Sequence, residues 1–341
     1  MSSSIKLQRR LLGAVLVLPV VAAFGCGNGS SAQSKTGTAR ASVPGFPVEL
    51  VNCGRTLRFD VPPQRLAALD QISVELLLHL GQGDAVVATA NQSDPPFPTI
   101  AARFAALQRL NPSQNYPTAE ALAAANPDFV IGNLELLSFS RAAGFGGPFT
   151  RDELAARQIA SFALQCQGET ASVELLFQRY LELGRILGRQ AEAQRTIDEV
   201  SASLSATAVA LAGAAPVRTL IYIDGLGPVQ TLRTSLALAG GVNLIGANEG
   251  GCCPPAMPLE VIARRDPEAI LISSFGALDP AAPTVAEKEA ALGSLLPTTS
   301  AVRRKRYLAV DFIMFSTPQR LARDVRLIGR FLHPERPLPP P

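Results

Sequence analysis

The residue types that carry out covalent catalysis are few in this chain and are not arranged for it. His79 lies in the apolar run of a predicted helix, and His333 lies in a proline-rich tail. The sequence has no Gly-x-Ser-x-Gly motif, which argues against a serine hydrolase. Gly225-Leu-Gly227 follows a predicted strand, but Gln230 stands where a dinucleotide loop has its third glycine. We therefore expect neither an enzymatic activity nor a cofactor.

Carboxylates give a clearer pattern, because a glutamate stands seven residues ahead of a proline in two matching segments. The first runs from Glu120 to Ile131, and the second runs from Glu260 to Leu271. In each, a short helix should end at the proline, and an acidic residue, Asp128 or Glu268, should lead into an apolar strand. This repeated segment, called the box, predicts two lobes of similar build, although a pattern of this length also arises by chance.

A helical stretch from Thr170 to Ala212 separates the two boxes. Its apolar residues recur at three-and-four spacing, with Gly184 and Gly188 expected to interrupt the first part. From Arg189 onward neither Gly nor Pro occurs until Gly213, so a continuous helix there would have about 23 residues and a length of roughly 35 Å. Such a helix is long enough to cross from one lobe to the other.

Strands alternate with helices on both sides of that stretch, after a predicted hairpin from Val48 to Asp60. This order favours parallel sheets covered on both faces, which bind ligands outside the carboxyl ends of their strands. The predicted strands are 65–69, 85–90, 129–132, 158–164, 217–223, 269–273 and 307–311. The predicted helices include 73–80, with Ser73 as its N-cap, 234–239 and 318–332.

The first 26 residues resemble an export signal. Basic residues precede the apolar run from Leu11 to Ala23, which is too short to span a bilayer comfortably. Ala23-Phe24-Gly25-Cys26 is similar to a bacterial lipobox, whose cysteine becomes the lipidated N-terminus, although Phe24 is bulkier than usual at its position. An uncleaved anchor or a soluble secreted protein is the alternative.

The chain is therefore expected to have six segments. They are a signal peptide (1–26), a flexible tether rich in Gly, Ser, Ala and Thr (27–46), an N-terminal α/β lobe (47–168), a helical region (169–212), a C-terminal α/β lobe (213–335) and a proline-rich tail (336–341).

The composition argues against a nucleic-acid partner. The formal net charge of +3 equals the charge of Lys6, Arg9 and Arg10, without which the chain has 28 basic and 28 acidic residues. A neutral domain offers no net electrostatic attraction for a phosphate backbone. With 341 residues and 47% hydrophobic composition, the chain can bury one large core or two medium ones.

Four cysteines follow the N-terminal segment, namely Cys53, Cys166, Cys252 and Cys253. Export makes disulfides plausible, and four cysteines allow three connectivities. A bond between Cys53 and Cys166 is favoured because each flanks the first lobe. It leaves the adjacent pair as free thiols or as a vicinal disulfide. A zinc site is disfavoured, since the chain has two histidines and no Cys-x-x-Cys pair.

In their order and spacing, several segments resemble the substrate-binding lipoproteins of bacterial ABC importers for iron-siderophores, haem and cobalamin. The matching segments are Arg65-Leu-Ala-Ala-Leu-Asp-Gln71, Glu75-Leu-Leu-Leu-His-Leu-Gly81, Val86-Val87, both boxes, Ala239-Gly-Gly-Val-Asn243, and Ala301-Val-Arg303 running into Tyr307. They cover nearly everything from Asn52 to Glu335. The resemblance implies an α/β fold of two Rossmann-like lobes joined by one long α-helix, with the ligand held in a cleft between the lobes and limited hinge motion.

The resemblance also implies a role for the boxes. In this family a surface glutamate on each lobe pairs with arginines of the membrane permease, and the matching positions here are Glu120 and Glu260. An exposed carboxylate can meet a guanidinium bidentately, and two such contacts fix an orientation. The alternative is that both are ordinary glutamates of a first helical turn.

Ligand contacts are expected from the loops at the strand ends. A guanidinium suits the anionic groups of a siderophore or a haem propionate, and phenylalanines suit an organic chelate. The arginines could instead be solvated surface charges, and the phenylalanines could belong to the core. The residues predicted to bind ligand are Gln71, Asn91, Asn133, Arg141, Asp224, Arg233, Phe275 and Phe315, with Gln92, Glu135, Phe139, Phe145, Gln230, Ser274 and Met314 in or near the same loops.

The chain departs from many relatives of this kind in having no Trp and only four Tyr. An aromatic-poor cleft leaves the identity of the ligand open. Gly250-Gly-Cys-Cys-Pro-Pro255 also replaces a stretch that is often aromatic in relatives. A vicinal disulfide there would form a rigid apolar knob that touches ligand or permease.

We therefore predict an exported, monomeric lipoprotein, anchored by lipid on Cys26 to the extracytoplasmic face of the cell membrane, in the periplasm or the cell-wall space. It would capture a ferric siderophore or a related organic chelate and deliver it to an ABC permease and its ATPase. Capture of cobalamin or haem is the alternative within this class. A ligand-sensing lipoprotein without a transport role is the alternative outside it.

Overall fold

The structure is a computed structural model that describes residues 43–92, 94–111, 116–140, 146–224, 227–228, 233–245, 257–274 and 283–340. The domain boundaries stated above stay predictions. No helix within these ranges combines the length and the apolar character that a membrane crossing requires.

The described part of the chain opens with the predicted hairpin. Strands β1 (Val48–Asn52) and β2 (Arg55–Phe59) pair antiparallel. The two residues between them, Cys53 and Gly54, both have positive φ, at 52° and 73°. This is the backbone of the tight turn that matches the twist of a hairpin. The side-chain amide of Asn52 then pairs with both backbone groups of Ala163, so that the hairpin covers the edge of the first sheet.

The first lobe contains a four-stranded parallel sheet. Its strands are β3 (Leu66–Ala68), β4 (Val86–Thr89), β5 (Phe129–Leu134) and β6 (Ala160–Gln165), in the order β4-β3-β5-β6. Its helices are α1 (Gln71–His79), α2 (Ala101–Ala105), α3 (Ala119–Ala124), α4 (Glu135–Ser138) and α5 (Arg151–Ala156), with short 3-10 turns at Gly83–Ala85 and Pro98–Ile100.

Helix α1 begins earlier than predicted. Its N-cap is Asp70, whose carboxylate accepts a hydrogen bond from the backbone N–H of Ser73 at 2.9 Å. The prediction of Ser73 as the cap was therefore wrong. An aspartate three residues ahead competes for the same position, and its charge makes it at least as good a cap.

The second lobe repeats this plan. Its strands are β7 (Val217–Asp224), β8 (Gly227–Pro228), β9 (Gly241–Asn243), β10 (Ala269–Ser274) and β11 (Tyr307–Ala309). Its helices are α8 (Arg233–Leu238), α9 (Leu259–Arg265), α10 (Val285–Leu295), α11 (Ser300–Arg303) and α12 (Pro318–Leu332). The parallel strands are ordered β11-β10-β7-β9, while β8 adds a short antiparallel pairing to β7.

The two lobes have the same topology. When the parallel strands of each lobe are counted in chain order, the first lies between the second and the third, and the fourth is outermost beside the third. The second and third strands therefore lie on opposite sides of the first strand. At this change of direction a crevice opens between the first and third strands. That crevice lies between β3 and β5 in one lobe and between β7 and β10 in the other. The prediction of two α/β lobes of similar build is confirmed.

The predicted long helix joins the two lobes, and a second helix packs against it. In α7 (Gln190–Ala210), Ala193 and Ile197 pack in the core of the first lobe, and Val200 and Leu204 pack in the core of the second. Helix α6 (Val173–Ile186) makes the same crossing in the opposite direction, with Val173 in the second core and Ile186 in the first. The predicted long helix is thus one arm of a helical hairpin.

The prediction that Gly184 interrupts this region was wrong. Gly184 lies inside α6, and a Cβ at that position would stand 2.5 Å from the Cβ of Ala193. The glycine therefore allows α6 and α7 to pack closely. The chain turns instead at Gly188, which has φ of 65° and so adopts a backbone conformation that favours glycine.

Candidate functional site

The crevice of the first lobe is closed by a buried carboxylate. Asp70 follows β3 and is 7% exposed. Its carboxylate accepts hydrogen bonds from the Ser73 N–H at 2.9 Å and from the Asn133 N–H at 2.6 Å. Burial raises the pKa of Asp70, and these hydrogen bonds partly oppose that shift. Asp70 thus joins the loop after β3 to the end of β5.

A phenol lies beside this carboxylate. The Tyr116 hydroxyl is 3.3 Å from Ser138 Oγ and also hydrogen-bonds the side chain of Asn91. Burial, and then the negative charge of Asp70, raise the pKa of Tyr116 to about 12. The group is therefore a neutral hydroxyl at physiological pH, suited to hydrogen bonding rather than to nucleophilic attack.

We call Asp70, Asn91, Tyr116, Asn133 and Ser138 the lobe-1 polar cluster. Its members stand at the carboxyl ends of β3, β4 and β5, which is the edge where ligands bind in this kind of sheet. Asn91 has φ of 45°, and its carbonyl accepts the Gln71 N–H at 3.2 Å. Amides and a neutral hydroxyl provide both donors and acceptors for an uncharged polar surface of a ligand.

Several predicted ligand residues have partners inside the protein. Gln71 is 1% exposed, and its side-chain amide exchanges hydrogen bonds with the backbone N–H and carbonyl of Asp94 at 2.8 and 3.0 Å. Gln92 is also buried; its side-chain N–H donates to the Thr89 hydroxyl, and its side-chain carbonyl accepts from Arg109. These side chains hold the loop after β4 in place. The assignment of Gln71 to the ligand stays a prediction.

Two of the phenylalanines predicted to lie near the ligand, Phe139 and Phe315, pack in cores of the described part of the chain. Phe315 and Met314 are 4% and 2% exposed and pack in the core of the second lobe, while Phe139 packs in a core of the first lobe. In this conformation their faces contact protein, as phenylalanine in a core usually does, and the ligand role of Phe315 stays a prediction.

The remaining predictions concern parts of the chain that the structure does not describe. Asp224 ends β7 and Arg233 begins α8, but their side chains are outside the described part. Residues wholly outside the described ranges are Cys26, Arg141, Phe145, Gln230, Cys252, Cys253 and Phe275.

A buried ion pair joins the lobes beside this crevice. Arg320 of α12 donates to both carboxylate oxygens of Glu75 of α1, each at 2.6 Å, and also to the carbonyl of Pro95 at 2.8 Å. Both charged side chains are 0% exposed. Burial alone would lower the pKa of Arg320, but the hydrogen bonds and charges of Glu75 and Asp311 outweigh it and raise that pKa. The pair fixes α1 against α12.

The loop after β4 extends the same junction. The Asp94 carboxylate accepts the backbone N–H of Phe312 at 2.8 Å, which connects the first lobe to the segment between β11 and α12. Gln71 donates its backbone N–H to the Asn91 carbonyl and binds the backbone of Asp94, so the lobe-1 polar cluster is linked to the backbone of the other lobe through three consecutive contacts.

Cys53 and Cys166 form a disulfide, the pairing favoured from the sequence. Their sulfur atoms and a carboxylate oxygen of Glu135 lie within 4.8 Å of one another, an arrangement that would suit a metal if both thiols were free. The disulfide occupies both sulfurs, and Glu135 binds Arg151 at 3.2 Å. These residues therefore act as a crosslink between the hairpin and the end of β6.

The two box glutamates occupy equivalent places. Glu120 lies in the first turn of α3, Glu260 lies in the first turn of α9, and both are exposed. Among the described residues, neither carboxylate has a hydrogen-bond or ion-pair partner. A helix that precedes a parallel strand runs antiparallel to it, so each glutamate stands toward the carboxyl edge of its sheet, where the crevices open.

Two concave surfaces lie away from this edge. One, of about 770 Å³, borders β4 and is lined by Val86, Val87, Arg103 and Leu107. The other, of about 400 Å³, lies between His79 and Arg189 at the end of α1. Neither includes a member of the lobe-1 polar cluster. Size alone therefore does not mark the site.

Three members of the lobe-1 polar cluster, Asp70, Tyr116 and Ser138, were not predicted from the sequence. Asp70 could have been found, because it directly follows a predicted strand and precedes Gln71. Tyr116 and Ser138 have no such signal, since they meet across a fold that brings together residues 22 positions apart.

The comparisons with known proteins agree with this architecture. Residues 66–290 match the family model described as periplasmic binding protein. No curated protein has a significant sequence match. A periplasmic binding protein from Veillonella parvula superposes with a TM-score of 0.71 at 18% identity, covering 84% of this chain and 97% of that chain.

Two further solved structures share the fold. An ABC-type Fe3+-hydroxamate transport system protein from Saccharomonospora viridis has a TM-score of 0.65 and 21% identity, with 85% and 98% of the two chains covered. A periplasmic heme binding protein from Pseudomonas aeruginosa has a TM-score of 0.61 and 20% identity, with 80% and 94% covered. The chain belongs to the periplasmic binding protein family, whose members are solute-binding proteins that act outside the cytoplasm.

Proposed function

We propose that this chain captures a ferric siderophore outside the cytoplasm and delivers it to the permease of an ABC importer, without catalysing a reaction. The observation that carries the proposal is the matched pair of exposed glutamates, Glu120 and Glu260. Each stands at the same place in one of two lobes with the same topology. Two carboxylates fixed on one molecule can bind two arginines of a permease and set the orientation of docking.

The lobe-1 polar cluster supports an organic ligand rather than a bare ion. Asn91, Tyr116 and Asn133 offer amide and hydroxyl groups at the carboxyl edge of the sheet. Arg141, Asp224, Arg233 and Phe275 are proposed to complete the site. The Saccharomonospora protein is described as part of a hydroxamate transport system, which favours a siderophore. Haem is the second candidate, because the Pseudomonas protein is described as heme-binding; cobalamin is the third.

Lipid attachment at Cys26 is part of the proposal. It rests on the apolar run and the small residues ahead of that cysteine. Mass spectrometry of the protein extracted from membranes tests it. A mature N-terminus at Cys26 that carries acyl chains is expected, and an unmodified chain in the culture medium would contradict lipid attachment.

A thermal-shift screen tests the ligand class. Ferric siderophores, haem and cobalamins are added separately to the purified protein, since a ligand that binds only the folded state raises the melting temperature. We expect the largest shift with a ferric siderophore. A shift with haem or cobalamin alone would replace the siderophore by that ligand, and a shift with an inorganic anion alone would contradict the whole ligand class.

An import assay separates transport from sensing. Cells that depend on this chain are given Glu120→Arg together with Glu260→Arg, which places like charges opposite the permease arginines. We expect loss of import with unchanged ligand affinity. The matched control is Glu174→Arg, an exposed glutamate in the first turn of α6, which should leave import intact. Normal import in the double variant would favour the sensing role or a different docking surface.

A further inference from the structure

Each box helix is held to its lobe by one buried side chain. Helix α3 has six residues and buries only Leu122, and α9 has seven residues and buries only Ile262. Both anchors stand two residues after the docking glutamate. Helices this short are not stable alone, and one buried apolar side chain fixes their direction only weakly. Polar contacts near the helix ends add to it, and at α9 these include Arg265 to the Leu244 carbonyl and the Ser300 N–H to the Asp266 carboxylate, each at 2.6 Å. A constraint common to both lobes would fix where each glutamate points.

In the first lobe, that constraint is Arg65, at the start of β3. Its Nε donates to the carbonyl of Asn126 at 2.6 Å, and a terminal nitrogen donates to the carbonyl of Ala125 at 2.8 Å. These are carbonyls at the C-terminal end of α3, where a cation is favoured by the helix dipole. The backbone N–H of Arg65 donates in return to the Asp128 carboxylate at 2.9 Å.

In the second lobe, Arg218 at the start of β7 has the same role. Its Nε donates to the carbonyl of Asp266 at 3.2 Å, at the end of α9. Its backbone N–H donates to the Glu268 carboxylate at 3.1 Å, and its guanidinium lies 3.4 Å from the same carboxylate. The first strand, the end of the box helix and the acidic residue of the box are therefore joined in the same way in both lobes.

The backbone of the two boxes matches as well. Asn126 and Asp266, which accept these hydrogen bonds, have φ of 47° and 48°. The residue after each is a buried proline, Pro127 or Pro267. A left-handed residue before proline ends the helix abruptly and turns its last carbonyls toward the arginine. Two independent occurrences of one arrangement argue that the arrangement has a shared task.

We propose that Arg65 and Arg218 are positioning residues that together fix the separation and direction of Glu120 and Glu260. The inference rests on the proposed docking function. A permease presents its two arginine sites at a set distance, and simultaneous binding at two sites fails when the spacing does not match. We call the side-chain hydrogen bonds that Arg65 or Arg218 makes to its helix end a latch. Each latch holds the C-terminal end of α3 or α9 in place. A helix of one to two turns is rigid, so fixing its end also fixes the glutamate in its first turn.

Both guanidinium groups are exposed, so a variant can test their positioning role without a large change in the stability of the fold. Removal of an exposed interaction changes the free energy of unfolding little, yet it frees one end of a short helix. The variants Arg65→Met and Arg218→Met keep the apolar stem and remove the hydrogen bonds. The control is Arg58→Met, since Arg58 is an exposed arginine of β2 that contacts only Glu49 and Asp60 in the described part of the chain.

The test measures the distance between positions 120 and 260 by pulsed double electron–electron resonance. Genetically encoded spin-labelled residues replace the two glutamates, which avoids labelling the native cysteines. We expect each latch variant to broaden the distance distribution, the double variant to broaden it further, and the melting temperature to change little. Arg58→Met should match the unsubstituted chain. A distribution unchanged in the double variant, or equally broadened in Arg58→Met, would overturn the inference.

The import assay shows whether the docking function itself fails. If Glu120→Arg with Glu260→Arg leaves import unchanged, the glutamates do not dock the permease. The latches then have no role in docking, even if the latch variants broaden the distribution of distances between positions 120 and 260. If the glutamates are required, the latch variants should weaken import in proportion to the broadening. Import at the full rate in the double latch variant would then overturn the inference while the docking function stands.

Discussion

Arg320 and Glu75 are separated by 245 residues in the chain, yet they form two hydrogen bonds of 2.6 Å, and neither side chain is exposed. The pair connects the last helix of the second lobe to the first helix of the first lobe. Burying two charges is costly unless each is fully satisfied. The Arg320 guanidinium also donates to Asp311 and Pro95, and the Glu75 carboxylate also accepts from Gln71 and Phe97.

Removal of one partner of this pair should therefore be severe. We expect Arg320→Met to lower the free energy of unfolding by about 3–5 kcal/mol, because the Glu75 carboxylate is left buried without its cation. The double variant Glu75→Leu with Arg320→Met should lose less than Arg320→Met alone. Urea denaturation followed by circular dichroism provides both values.

The control for this pair is exposed. Arg55→Met breaks an ion pair with Asp152 of 2.6 Å whose side chains are 40% and 81% exposed, and it should cost less than about 1 kcal/mol. Equal losses for Arg55→Met and Arg320→Met would contradict a special role of the buried pair.

Stability should fall at acid pH because of His79. Burial, aided by the charges of Arg320 and Arg103 and opposed by Glu75, lowers the pKa of His79 from 6.5 to about 4. The unfolded chain therefore binds a proton between these two pH values that the folded chain does not. The contribution of His79 to the free energy of unfolding is complete above pH 6.5 and declines by up to about 3 kcal/mol as the pH falls to 4.

The variant His79→Gln isolates this effect. The free energy of unfolding is measured for both proteins at several pH values. As the pH falls from 6.5 to 4, the original chain should lose more stability than the variant. Other titrating groups cancel in that difference. A pH-independent difference would show that His79 does not titrate in this way.

The phenol of Tyr116 should contribute to ligand binding. A hydrogen bond from a neutral hydroxyl contributes about 1 kcal/mol, so Tyr116→Phe should weaken binding of the best ligand from the thermal-shift screen by roughly fivefold. The measurement is isothermal titration calorimetry. Tyr307→Phe is the matched control, since Tyr307 begins β11, at the opposite edge of the second sheet from the crevice. Equal affinity in Tyr116→Phe would place the ligand away from the lobe-1 polar cluster.

The disulfide should stabilise the first lobe. Cys53 and Cys166 are separated by 113 residues, and a crosslink that closes a loop of this size is worth about 3–5 kcal/mol in the chain-entropy view. Replacing both by serine should lower the free energy of unfolding by that amount without loss of the ligand-induced shift. A change of less than about 1 kcal/mol would indicate that the Asn52 contacts to Ala163 hold the hairpin without the crosslink.

The parts of the fold that depend on local pattern were predictable. Helix α12 has the predicted bounds, Pro318 to Leu332, because its amphipathic pattern is bounded by proline and a charged turn. Both boxes fold as predicted, and their equal internal spacing revealed the two lobes. The predictions that failed depended on a second residue nearby. Asp70, not Ser73, caps α1, and Gly184 packs against Ala193 instead of ending the helix.

The candidate site was less predictable because its contacts are long-range. Arg65 and Arg218 perform one task, but they do not stand at the common offset that relates the two boxes, so no repeat in the sequence points to them. The partners Tyr116 and Ser138, or Glu75 and Arg320, likewise leave no periodic signal. Only the folded chain shows which polar residues meet.

The hairpin of α6 and α7 has a mechanical consequence. Two antiparallel helices that each pack in both cores resist rotation of one lobe against the other better than a single helix would. We therefore expect the radius of gyration from small-angle X-ray scattering to be nearly the same with and without ligand. Ligand capture would then need no large hinge motion of the two lobes. Ligand release would require a permease that binds both lobes at separate points and moves them apart.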